Sequence, residues 1–156
     1  MRRSIIVVVC LLTAAGLSAA EGDALLGRWA TAPPGDPDLA HIEIVKAGDT
    51  YSGTIVWLAE PVYGPDDEQG MGGQSKVDRE NPDPGLSKRP IIGLPLVEGF
   101  TYAGNNRYKG GTIYDPNNGK TYSCKLKLKG DELKVRGYIG VSLIGRTTEW
   151  TRVVEE

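Results

Sequence analysis

The sequence has few of the residues from which reaction centres are usually built. Among its 156 residues there is one histidine, His41, and two cysteines, Cys10 and Cys124, so count alone excludes multi-histidine and cysteine-rich metal sites. It contains no phosphate loop, no dinucleotide fingerprint and no Gly-x-Ser-x-Gly elbow. Basic residues are not in excess. The 18 Lys and Arg stand against 20 Asp and Glu, and a formal charge of −2 offers no electrostatic footprint for nucleic acid. A long 3.6-residue apolar period is also missing, which argues against a helical bundle.

What is present begins with an export signal. Arg2 and Arg3 form a positive start, Ile5 to Leu17 is apolar apart from Thr13 and Gly16, and Ser18-Ala19-Ala20 places small residues where a signal peptidase reads. The expectation is a signal peptide over 1–20 and a mature single domain over 21–156, located in the periplasm or outside the cell. No later segment approaches the roughly 20 apolar residues a membrane-crossing helix requires. Loss of Arg2 and Arg3 takes the net charge from −2 to −4. Cys124 then stands alone, so no internal disulfide can form, and its place in an alternating strand reads as a small buried apolar side chain.

Period-two segments dominate the mature chain. Ile42 and Ile44 alternate with His41 and Glu43, Ala47-Gly48-Asp49 has hairpin chemistry, and Thr50 to Leu58 places Tyr51, Gly53, Ile55 and Trp57 on one face. Tyr108 to Tyr114 and Lys120 to Lys129 read as a second hairpin around Asp115-Pro116-Asn117-Asn118-Gly119. In its return strand, Tyr122, Cys124, Leu126 and Leu128 oppose Thr121, Ser123, Lys125 and Lys127. Gly130-Asp131 leads into Leu133 to Ile139, and Ser142 to Val154 makes the last strand. Such a meander removes its exposed edges by closing into an all-β, antiparallel up-and-down barrel.

Glu60 to Leu94 interrupts this pattern with five prolines, six glycines, seven acids and four bases. Its length marks it as a functional or mobile insert, with one short helical turn expected after Asn81-Pro82-Asp83-Pro84. Asp66, Asp67 and Glu68, or Asp115 with Asn117 and Asn118, have oxygen ligands at close spacing, but solvated acids and a turn explain them adequately. No metal and no cofactor are expected.

The residues suited to a ligand are aromatic or bear a guanidinium. Trp57, Tyr114, Tyr122 and Tyr138 combine an apolar body with a polar tip, while Arg136, Arg146 and Arg89 can meet an anionic head at a rim. These seven are the expected ligand-binding set.

Gly27-Arg28-Trp29 and Arg152 resemble the Gly-x-Trp and closing Arg of lipocalin-like (calycin) barrels. More specific runs are Asn81-Pro82-Asp83-Pro84, Arg89-Pro90-Ile91-Ile92-Gly93-Leu94, Gly110-Gly111-Thr112-Ile113-Tyr114-Asp115-Pro116, Gly119-Lys120-Thr121-Tyr122 and Gly145-Arg146-Thr147. Together they resemble the bacterial secreted family catalogued as domain of unknown function 2147. The resemblance implies an exported lipocalin-like barrel with no assigned reaction. Two function classes follow: a barrel that binds a small hydrophobic or amphipathic molecule, or a non-enzymatic interaction module whose barrel is filled by its own side chains.

Overall fold

The structure, a computed structural model, describes residues 21–154; the expected signal peptide over 1–20 lies outside the described residues. A 3-10 turn, Asp23–Leu25, precedes eight strands: β1 (Gly27–Ala30), β2 (Ala40–Ala47), β3 (Thr50–Leu58), β4 (Pro95–Tyr102), β5 (Arg107–Asp115), β6 (Lys120–Lys129), β7 (Glu132–Tyr138) and β8 (Gly145–Arg152). Each strand pairs antiparallel with the next, and β8 returns to β1 to close the barrel. Two ends result from this order. The 3-10 turn and the tight hairpins after β2, β4 and β6 lie at one end; the longer connections, including residues 59–94 and 139–144, lie at the other.

Alternation explains the filling of the barrel. Along β6, Cys124, Leu126 and Leu128 are buried while Lys125, Lys127 and Lys129 are exposed, and their partners Val135 and Leu133 on β7 are buried with them. Trp29, Ile42, Val97, Phe100, Tyr108 and Trp150 complete a single core cluster. Close-packed side chains of this size occupy the volume that a wide-bore barrel would leave to a ligand.

Two strand readings are corrected. The last strand begins at Gly145, since Ser142 belongs to the preceding loop. Trp57 does not share a face with Tyr51 and Ile55. Between β2 and β3 the register runs His41 to Trp57 but Ile42 to Ile55, leaving Val56 as an extra residue. This bulge reverses the alternation beyond it. Trp57 consequently lies against the His41 ring, centroids 4.5 Å apart, with 41% of its surface exposed.

The hairpin end is sealed by side chains. The fully buried Trp29 donates its indole N–H to the Leu25 carbonyl at 2.9 Å, and the Arg152 guanidinium lies 4.3 Å from the Trp29 ring. Arg152 also donates to the carbonyls of Leu26 (3.0 Å) and Ala24 (2.6 Å) and to Asp131 Oδ1 (3.1 Å). Beside this plug, Tyr108 donates to the Gly22 carbonyl at 2.7 Å, while Asp23 accepts from Lys46 (2.6 Å) and Tyr51 (2.8 Å). The Lys46 ammonium and then the Tyr51 hydroxyl hold the Asp23 carboxyl below its usual range.

Trp29→Ala is expected to lower unfolding free energy by about 3–5 kcal/mol, the range for truncating a buried aromatic. Arg152→Lys should cost about 1–2 kcal/mol, because an ammonium replaces neither the stacked plane nor the forked donors. Urea denaturation measures both, and midpoints equal to wild type would contradict the plug.

Candidate functional site

The insert is ordered by its acids. Asp67 accepts from Arg79 at 2.7 Å and from the backbone N–H groups of Gln69 and Met71, and the nearby Arg79 holds its carboxyl below the ordinary range. Isolated bridges join Val62 to Ser75 and Val77 to Pro90. The expected helical turn forms over 83–89, with Ser87 N–H on the Asp83 carbonyl and Asp83 Oδ1 accepting from the Gly85 N–H. What reads as an irregular segment is thus knitted by local hydrogen bonds.

Its anchor to the barrel is Asp78, which is completely buried. Asp78 Oδ1 accepts from the Tyr114 hydroxyl at 2.6 Å; Oδ2 accepts from Asn81 at 2.8 Å and from Arg89 Nε and Nη2 at 2.9 and 2.8 Å. Burial, then the hydrogen bond to Asp78, pushes the Tyr114 hydroxyl above its usual pKa. The neighbouring turn fits equally closely: a Cβ on Gly119 (φ +68°) would overlap the Glu80 carbonyl. Between insert and wall lies an open groove of about 260 Å³, lined by Asn81, Leu86, Arg89, Glu98, Thr112 and Tyr114.

The seven expected ligand residues therefore separate into three places. Arg89 and Tyr114 meet, but around Asp78 on the outer wall. Trp57 faces outward through the bulge. Arg136 and Tyr138 also lie on the outer face of β7, opposite the buried Leu133 and Val135, and Arg136 donates to the Ser142 carbonyl (2.8 Å), Thr147 Oγ1 (2.9 Å) and the Leu143 carbonyl (3.3 Å). Only Tyr122 and Arg146 stand on the interior face.

These two mark the mouth of the barrel at the end bearing the long connections. Gly137 pairs with the buried Cys124 on one side and with Arg146 on the other, which puts Arg146 on the inward face. A Cβ at Gly137 would meet Ile113 at 3.3 Å and Tyr122 at 3.8 Å. Here the two halves of the barrel differ. Ala40, Ile55 and Val97 on the β2–β4 side are buried, whereas Ile113, Tyr122, Gly137 and Thr148 on the β5–β8 side are half-buried and Arg146 is exposed. The guanidinium of Arg146 makes no hydrogen bond or ion pair with another described residue. Asn118 donates to the Tyr122 hydroxyl at 3.0 Å, fixing that ring at the rim.

The family described as "Uncharacterized protein conserved in bacteria (DUF2147)" matches residues 27–152, the span from β1 to the end of β8. The chain belongs to this family. Its fold is lipocalin-like: protein HP1028 from Helicobacter pylori, whose structure is described as belonging to the lipocalin family, superposes with a TM-score of 0.68 over 84% of each chain at 22% identity. No curated protein matches the chain.

Several motifs that carry the DUF2147 resemblance converge on the clamp: Asn81 and Arg89 hold Asp78, and Gly119 admits the Glu80 backbone. Asp78 itself is not legible in the sequence, because one acid among seven in an insert has no periodic signature. Cys124 is fully buried, and burial pushes its thiol up to about 12, which leaves it protonated and inert at neutral pH. Asp78→Asn leaves one acceptor where the carboxylate served four donors, so a loss of about 2–4 kcal/mol is expected, with Tyr114→Phe milder at about 1 kcal/mol. Urea titration followed by circular dichroism checks this; an unchanged Asp78→Asn midpoint would show that the insert is not clamped there.

Proposed function

We propose that this DUF2147 member is an exported, non-enzymatic binding protein that takes a small amphipathic molecule with an anionic head at the β5–β8 mouth. The observation that carries the reading is Arg146, the one guanidinium among the expected ligand residues that faces inward and is not engaged by another described residue. Arg89 is committed to Asp78 and Arg136 to the 139–144 loop, so neither offers a free fork to a ligand. Ile113 and the Tyr122 ring supply apolar contact next to Arg146, the pairing of body and head that an amphipathic molecule needs. The packed core limits such a molecule to the mouth. Lipocalin-family membership of the structural neighbour supports the fold comparison, and the Arg2-Arg3 start and Ser18-Ala19-Ala20 support export.

A second reading has its own observation. Trp29, Phe100, Tyr108 and Leu133 are each at most 1% exposed, as expected of a barrel filled by its own side chains and used as an interaction module.

Titration with short-chain fatty acids below their micellar concentration, followed by calorimetry, separates the two. Saturable binding is expected, weakened about tenfold or more by Arg146→Ala and weakened by added salt, since the head sits at an exposed rim. No saturable heat from ligand-free protein would favour the interaction module. N-terminal sequencing of the cellular product should begin at Glu21; an intact Met1 on cytoplasmic protein would overturn export.

A further inference from the structure

The β7–β8 connection, residues 139–144, is the most apolar exposed segment of the described chain. Ile139, Val141, Leu143 and Ile144 are 68, 60, 88 and 69% exposed within a six-residue loop. Left in water, such a tip is unfavourable, and it marks a contact with something apolar. From its chemistry we infer that the loop docks the protein on an anionic lipid surface, an interaction of residues 139–144 that shares Arg146 with the binding proposed at the mouth.

Two observations favour lipid over other occupants. The first is the pairing of carbonyls: those of Val141, Ser142, Leu143 and Ile144 accept hydrogen bonds, while the N–H groups of residues 140–143 donate to no described residue. Entering the interfacial region of a bilayer removes water from peptide groups, which is costly unless they are already paired. In this loop Ile139 N–H donates to the Ile144 carbonyl (3.3 Å), Ile144 N–H to the Val141 carbonyl (3.1 Å), and the Arg136 guanidinium to the carbonyls of Ser142 and Leu143. The same three-pronged contact, which includes Thr147 Oγ1, ties the loop to β7 and β8.

The second is charge. From Leu133 to Thr148 the chain has Lys134, Arg136 and Arg146 and no acid, although acids outnumber bases in the whole sequence. Lys134 is paired with Glu149 at 3.2 Å, which leaves the two arginines flanking the loop as the local field. An apolar tip between cations, with Tyr138 at its base, matches an interface of acyl chains beneath anionic headgroups. The same end also has Asp36, Asp38, Asp115 and the seven acids of the insert, of which Asp67 is matched by Arg79 and Asp78 by Arg89, so the cationic field is confined to the β7–β8 loop and its flanks.

The test is sedimentation of full-length mature protein with sucrose-loaded vesicles, either 30% phosphatidylglycerol in phosphatidylcholine or phosphatidylcholine alone. Wild-type protein should pellet with the anionic vesicles, several-fold less with the neutral ones, and less as salt is raised. Val141→Asp with Leu143→Asp should reduce the pelleted fraction at least fivefold while leaving the unfolding midpoint unchanged, because both side chains are already in solvent. Wild-type protein that stays in the supernatant, or a double variant that pellets equally, would overturn the proposal. So would concentration-dependent dimerisation in analytical ultracentrifugation that the double variant abolishes, since the loop would then serve a second copy. The soluble-probe titration is a separate readout, so failure of either proposal is visible without the other.

Discussion

Closure of the barrel depends on the contact between Arg152 and Trp29. β1 is only four residues long and meets β8 through Trp29–Arg152 and Ala30–Thr151, so the seam has few ladder hydrogen bonds of its own. One guanidinium makes up for this by covering the indole and binding two carbonyls of the N-terminal segment. The 3-10 turn is thereby held across the barrel end, where Leu25 enters the core and accepts the indole N–H. Residues near the start and the end of the described chain are joined in one contact, which couples the seam to the plug.

With the hairpin end sealed, the proposed binding falls to the opposite end. There the insert is fastened to the outer wall by the bond from Tyr114 of β5 to its Asp78, which its own Arg89 also holds. Coverage is therefore one-sided. At this end the inward residues are buried on β2–β4 and half-buried on β5–β8, where Tyr122 and Arg146 lie on either side of Gly137 and the apolar 139–144 loop joins β7 to β8. The ligand proposed at the mouth and the lipid surface proposed at the loop would both draw on Arg146.

Much of the fold was legible because β-strands report their burial in alternate residues. Cys124, Leu126 and Leu128 against Lys125, Lys127 and Lys129 set the inner face of β6 directly, and the Asn-Gly and Gly-Asp turns set the meander. Trp57 departs from that alternation, since a bulge adds one residue without any local composition signal. The order of the insert was hidden for another reason: it comes from side-chain to backbone bonds of Asp67 and Asp78, not from hydrophobic periodicity. The candidate site was the least legible part. Chemical type identifies its seven residues, while the face each one occupies depends on strand register, and only Tyr122 and Arg146 lie on the inner face.

Residue-resolved hydrogen exchange tests the asymmetry between the two ends most directly. Slow exchange measures the free energy of the opening that exposes each amide, so locked and openable regions separate on one scale. The amides of Trp29, Ile42, Ile44, Leu126 and Val135, together with the Trp29 indole N–H, should exchange only through global unfolding. Those of residues 137–147 should exchange through smaller local openings. Earlier exchange at the Trp29–Arg152 seam than at the mouth would contradict that asymmetry.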